Sequence, residues 1–239
     1  AFSDLGENQR IGNTAEVQPS GTLRLTYNQA NTLYTRVAAL TDARSIDRVN
    51  GALSFLEDGR DYEKIGSARL LSPTEYTLND ALGYISLQSQ LQPEESLAVA
   101  FQYTYGGQTY QVGEFSGDNT QNTSGCLFVK LIKGINEAPG MPFWDLMMKN
   151  VYSLDAFSVQ KDKFKLDVVY QSDTVGTYVY SIQEGNISGK TLLQVMNLDR
   201  LDDHNEPYPN GYFDFVEGYT IQPANGRIFF PVIEPFGSH

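Results

Sequence analysis

Leu97, Val99, Phe101 and Tyr103 alternate with other residues, the period of two that marks a strand with one face buried. The run stops at Gly106-Gly107, and alternation resumes over residues 109–115. A glycine pair between two such runs predicts a tight hairpin, because primed turns need positive φ, which glycine adopts without a Cβ penalty. The same grammar of short strand, turn and short strand recurs along the chain. Residues 62–71, 76–78, 84–87, 127–132, 164–170, 178–182, 191–198, 212–215, 219–221 and 227–232 read as further strands, with Val175-Gly176 as a turn. The first strand is read at 22–27, where Leu23, Leu25 and Tyr27 alternate with Thr22, Arg24 and Thr26.

Two stretches break this pattern. Over residues 31–56 the apolar positions Leu33, Val37, Leu40, Ile46, Val49, Leu53 and Leu56 are spaced by threes, fours or their sums, which predicts two short helices meeting near residues 41–44. Asn28, Asn31 and Asp42 are candidate N-caps, and Gly59 is the stop. Residues 142–150 predict a short amphipathic helix with Pro142 in its first turn. Residues 2–21, rich in Gly, Asn, Gln, Glu and Ser, read as an extended lead-in with little packing of its own.

An internal echo links the two halves. Tyr76-Thr77-Leu78 precedes Gly83-Tyr84-Ile85-Ser86-Leu87 as Tyr219-Thr220-Ile221 precedes Gly226-Arg227-Ile228-Phe229-Phe230, with Tyr and Gly seven apart in both. The first copy runs on through Gln92-Pro93-Glu94-Glu95 into another strand, whereas the second stops at Phe236-Gly237-Ser238-His239. The second copy therefore lacks its closing strand in sequence, and the expectation is that the segment was cut from a longer chain or finds the missing strand elsewhere, because proteins rarely leave such an edge open.

Charge and composition narrow the functional classes. Seventeen Lys+Arg against 29 Asp+Glu give a net charge of −12, with the bases scattered, so a nucleic-acid phosphate track and an anionic membrane surface are both poor partners. Hydrophobic residues reach 41%, enough for a core, yet no apolar run approaches the roughly 18 residues of a spanning helix. One cysteine, Cys126, and two histidines, His204 and His239, leave no intrachain disulfide and no Cys/His zinc cluster.

Several motifs imitate chemistry. Gly185-Asn186-Ile187-Ser188-Gly189-Lys190-Thr191 resembles a phosphate loop, but three residues separate its glycines where four are needed. Residues 191–198 also alternate like a strand, so a plain glycine turn is the expectation. No Gly-x-Ser-x-Gly elbow accompanies His204. The pairs Glu94-Glu95 and Asp202-Asp203 read as solvated loop charges. Asp199, Asp202, Asp203 and Asn205 crowd oxygen ligands into one loop, which fits either a calcium site or a turn-rich connector ending at Pro207-Tyr208-Pro209-Asn210-Gly211. The sequons Asn122-Thr123-Ser124 and Asn186-Ile187-Ser188 carry no weight without a secretory context. Trp144, beside Phe143 and Leu146, reads as a helix anchor rather than a sugar platform. No catalytic, cofactor-binding or metal residue is assigned.

Longer blocks are more specific. Met196-Asn197-Leu198-Asp199-Arg200-Leu201, Asn210-Gly211-Tyr212-Phe213-Asp214-Phe215, Gly218-Tyr219-Thr220-Ile221 and Asn225-Gly226-Arg227-Ile228-Phe229-Phe230-Pro231, closing with Glu234-Pro235-Phe236-Gly237, form one ordered series. Asp61-Tyr62-Glu63-Lys64, Glu75-Tyr76-Thr77-Leu78, Leu97-Ala98-Val99-Ala100-Phe101-Gln102-Tyr103, Val112-Gly113-Glu114-Phe115 and Trp144-Asp145-Leu146-Met147-Met148-Lys149-Asn150 extend it toward the amino end. Together the blocks resemble the SprA/Sov family, the giant outer-membrane translocon of bacterial type IX secretion, also known as the cell-surface gliding-motility protein. That resemblance implies a parent protein far longer than this chain, a very large β-barrel with extramembrane domains, no catalytic residues to carry over, and secretion accessory proteins, cargo and other parts of the same translocon as partners. Charges within the alternating strands disfavour a lipid-facing wall, where each costs about 2–4 kcal/mol at mid-bilayer. The segment is therefore expected to be extramembrane, with the extracellular cap favoured over the periplasmic side. A stand-alone adhesin or carbohydrate-binding β module is the competing class.

The fold expectation is a β-dominated α+β architecture of two related antiparallel modules, each with helical decoration. Residues 1–116 form the first, with helices near 31–56, and residues 117–239 the second, with a short helix near 142–150 and a truncated carboxyl end. The polar loop 116–125 joins them.

Overall fold

The computed structural model describes residues 1–7, 25–117, 126–171 and 176–237. Residues 8–21 of the expected lead-in, 22–24 of the first strand, the 118–125 loop with its Asn122 sequon, and Val175 of the expected turn lie outside them. Among the described residues the protein is β-dominated α+β, built of short antiparallel strands in several small sheets with few helical turns. Two compact units divide the chain, residues 1–147 and 148–239.

The boundary thus falls about thirty residues later than the polar loop. The reason is strand pairing. In the first unit, hairpin β1 (Tyr76–Asn79) and β2 (Tyr84–Leu87) precedes β3 (Leu97–Val99), then hairpin β4 (Phe101–Tyr105) and β5 (Gln108–Val112), then β6 (Lys130–Lys133). Strand β6 pairs antiparallel with β3, Leu97 facing Lys133 and Val99 facing Lys130, so it belongs with the first unit. The turn at Gly106-Gly107 takes positive φ at both residues, +58° and +79°, and sets Tyr105 opposite Gln108.

Helices α1 (Leu33–Ala38) and α2 (Val49–Ala52) flank a 3-10 turn over Thr41–Arg44, as the three-and-four spacing predicts. Asn31 accepts the Leu33 amide at 2.7 Å and so helps cap α1. Asn28 does otherwise, exchanging hydrogen bonds with the Gly113 backbone at 2.8 and 3.2 Å. Leu33, Val37, Ala43, Val49, Leu53 and Leu56 pack with Phe2, Leu5, Tyr62 and Phe128 into one core.

That core corrects the expected lead-in. Phe2 and Leu5 are buried, and so are Ser3, Asp4 and Glu7. The polar groups enter because each is paired: Glu7 meets Lys130 at 2.7 Å, Lys130 also donates to the Ser3 carbonyl, and Asp4 accepts the Gly6 amide at 2.8 Å. Phe2 bridges both Tyr62 and Lys130. The expected strand 62–71 reduces to bridges at Tyr62.

The second unit holds β7 (Val151–Ser153), β8 (Tyr170–Gln171), β9 (Tyr178–Val179), helix α3 (Leu192–Val195), β10 (Ile221–Gln222) and β11 (Arg227–Phe229). Its three-stranded sheet runs β10-β11-β7. The expected helix over 142–150 shrinks to a 3-10 turn, Trp144–Leu146, with Phe143 rather than Trp144 as the buried ring. Residues 191–198 are not a strand: Thr191 accepts the Gln194 amide, the Gln194 side chain reaches back to the Thr191 amide, and this capping box opens α3. Phe164, Leu166, Val168, Phe213 and Phe215 pack against the core of Leu193, Leu198, Ile221, Ile228 and Phe230, but residues 164–168 and 212–215 form no ladder.

The second copy does find its missing strand elsewhere in the chain. The second-copy hairpin β10-β11 has a third strand, β7, on its outer side, whereas the first-copy hairpin β1-β2 is a two-stranded sheet.

Candidate functional site

From residue 64 to residue 111 no residue is buried. This stretch carries the β1-β2 hairpin, all of β4-β5 but its buried last residue Val112, and a run of apolar side chains that a core would ordinarily absorb. Leu70, Leu78 and Leu82 are 96%, 59% and 76% exposed, and Phe101 and Tyr105 are exposed too. The base of the β1-β2 arm is nevertheless firmly attached. Lys133 donates to the carbonyl oxygens of Gln92, Pro93 and Glu95 at 3.3, 3.1 and 2.7 Å. Ser96 donates to Glu63, whose other oxygen accepts the Ile135 amide at 2.8 Å. At the arm's root Arg69 bonds Glu75 at 2.7 Å, and that hydrogen bond holds the exposed Glu75 carboxyl down at about 2.

Beside β5 an open cleft of about 440 Å³ is lined by Tyr27, Tyr34, Tyr110, Asn28, Arg44 and Glu114 among others. Its floor is a clamp. Arg44 donates to both Glu114 oxygens at 2.6 and 2.9 Å, Tyr34 and the Phe128 amide add donors at 2.9 Å each, and the guanidinium lies 4.0 Å over the Phe128 ring. Burial pushes the Glu114 carboxyl up, but Arg44, the Phe128 amide and Tyr34 together bring it below its ordinary value. With all its lone pairs engaged, Glu114 is suited to holding the fold rather than to shuttling protons. Above it, Tyr27 meets Tyr110 edge-on at 5.4 Å, and Tyr110 stacks on Tyr103 at 5.5 Å, so the cleft wall is a tyrosine ladder that a period-two reading spreads between core and surface without joining.

In the second unit the acidic loop is built of side chain–backbone turns. Asp199 is buried and accepts the Asn210 and Gly211 amides at 2.9 and 3.1 Å. Asp202 accepts the His204 and Glu206 amides at 2.8 and 2.9 Å, Asp203 takes the Asn210 side chain at 3.0 Å, and Asn205 sits at positive φ. Asp214, which sequence reasoning passed over, accepts the Arg200 and Leu201 amides at 2.7 and 3.2 Å. These carboxylates do the work of a turn scaffold. Among the described residues no group of three or more His, Cys, Asp or Glu side chains is placed to hold a metal. Burial raises Asp214 above its ordinary value, with the Asp199 charge adding to the rise. Folding therefore favours its protonated form, and its contribution to stability grows as pH falls through the raised folded value. Asp199→Ala is expected to cost the second unit about 2–3 kcal/mol through two orphaned amides, while thermal melts with calcium and with chelator coincide; a calcium-dependent melting shift would instead assign a bound cation.

The phosphate-loop imitation is a 3-10 turn over Gly185–Ile187 followed by α3. A helix does follow Gly189-Lys190-Thr191, against the expectation of a strand, but it has four residues, too few for an anion-binding dipole. Glu95 caps the Gln92 amide at 2.8 Å, a local turn as expected of loop charge. No protein-family model matches the chain, and no curated protein matches it significantly. No helix among the described residues is long and apolar enough to cross a membrane.

Proposed function

We propose that this chain is an extramembrane docking segment of an outer-membrane protein translocon of the SprA/Sov type, serving type IX secretion and gliding motility on the cap side. It performs no catalysis in this reading. Its part is to hold neighbouring regions of the translocon, accessory proteins or cargo against exposed strands and loops. The single observation that carries the docking role is the 64–111 stretch, rich in apolar residues and without one buried side chain. The ordered sequence blocks supply the translocon assignment.

The test is site-specific photo-crosslinking from Leu78 and Leu82 in a type IX-secreting bacterium carrying the parent gene. Crosslinks to secretion components or cargo are expected, and excision of residues 64–111 should reduce cargo export. Normal export together with an absence of such crosslinks overturns the assignment. The tyrosine-walled cleft favours a second reading as a glycan-binding module, because aromatic faces beside amide donors suit sugar rings. Specific glycan titration that Tyr110→Ala abolishes would place the chain in that class instead.

A further inference from the structure

The two echo hairpins are the same structure in two environments. In β1-β2, Leu78 faces Ile85 and Asn79 faces Tyr84; in β10-β11, Ile221 faces Ile228 and Gln222 faces Arg227. Their loops end at equivalent glycines, Gly83 at φ +69° and Gly226 at φ +60°. The second copy is finished by β7, with Arg227, Ile228 and Phe229 opposite Ser153, Tyr152 and Val151. The Leu154 amide donates to Gly226 and the Phe230 amide to Asn150, each at 2.8 Å. Ile221 and Ile228 are then buried. In the first copy Leu78 is 59% exposed and Ile85 half-buried.

The free side of β2 follows from its register. The Gln88 amide donates to Glu75 across the hairpin, so Tyr84, Ser86 and Gln88 bond inward, and the Ile85 N–H and C=O point away from β1. Among the described residues nothing pairs with the Ile85 peptide groups on that side.

We propose that the outer edge of β2 at Tyr84–Ser86 binds a β-strand of another polypeptide, added antiparallel in the register that β7 takes on β11. The partner strand has alternating apolar residues and a flanking lysine or arginine. Charge complementarity sets the second requirement: Arg69 neutralises Glu75, but residues 70–96 also contain Asp80, Glu94 and Glu95 and no Lys or Arg. Glu94 and Glu95 follow β2 as Glu234 follows β11, and Glu234 pairs at 3.0 Å with Lys149, which leads into β7. The proposal deepens the docking role above and rests on that reading only for the source of the strand.

The experiment is amide exchange on the full chain with a synthetic peptide of residues 148–155, which carries β7 and Lys149. At about 1 mM peptide the Ile85 amide is expected to exchange about tenfold more slowly, with no such effect from a scrambled peptide or from Lys149→Glu peptide at low salt. Ile85→Lys, which leaves the inward ladder to β1 in place, should abolish binding while the thermal melt of the chain is unchanged. An unaltered Ile85 amide at 1 mM peptide, equal slowing by the scrambled peptide, or slowing confined to residues 227–229 overturns the proposal. Dimerisation of the chain that Ile85→Lys dissolves would assign the edge to a second copy and overturns the partner strand. An in-cell crosslinking failure would leave the peptide result standing, so the two readings fail separately.

Discussion

Glu114→Ala is expected to destabilise the first unit by about 3–5 kcal/mol. The substitution leaves the Arg44 guanidinium, whose side chain is 17% exposed, without its carboxylate, and it removes the acceptor that the Phe128 amide and the Tyr34 hydroxyl use. Removing either partner of such a pair costs more than removing both, because the surviving charge stays desolvated. Arg44→Met combined with Glu114→Leu should therefore lose less stability than either single change, and strict additivity would refute the clamp. Trp144 is the chain's single tryptophan and lies in the first unit, so its fluorescence in a denaturant titration reports this transition.

The same pair sets a pH dependence. The folded Glu114 carboxyl lies below its ordinary value of 4.5, so the stabilisation is present above that value and is lost as pH falls through the folded one. The stability gap between the native chain and Glu114→Gln should accordingly narrow on acidification below about pH 4.5. A gap that widens toward acid would reverse the sign and sink the assignment.

Gly226→Ala and Gly83→Ala are expected to differ sharply although they occupy equivalent hairpin positions. At both, positive φ makes alanine cost about 1–2 kcal/mol. A Cβ at Gly83 meets open space, whereas one at Gly226 would overlap the Ala156 carbonyl, against which the β7 connection is packed. The second unit should lose about 4 kcal/mol or more from Gly226→Ala. Exchange rates of the Ile221 and Ile228 amides measure it, and equal costs at the two glycines would show that the backbone approach at Ala156 is not constraining.

These contrasts mark what sequence reveals. The hairpins 76–87 and 101–112 were legible because alternation and glycine φ act over a few neighbouring residues. Helices 33–38 and 49–52 were legible for the same reason, through their three-and-four spacing. Residues 1–7 were not, since their burial depends on Glu7 meeting Lys130, a partner far along the chain. Residues 164–168 alternate and do turn their apolar side inward, yet period two specifies a face and not a hydrogen-bonded neighbour. Helix 192–195 is hidden from a periodicity reading because Leu192, Leu193, Val195 and Met196 suit either period, and only Thr191 with Gln194 decides between them. In the acidic loop, oxygen count alone could not reveal the turn scaffold, which rests on the amides that Asp199 and Asp202 accept.

Strand β6 joins two of these features. Lys130 near one end secures the amino-terminal residues through Glu7 and Ser3, and Lys133 at the other grips three carbonyls at the root of the β1-β2 arm. Traction on that arm is thus delivered to the same four-residue ribbon that seats Phe2. Sheet β3-β6, one pair of strands, links the arm to the core in which Phe2 packs with the helical residues Leu33, Val37 and Val49.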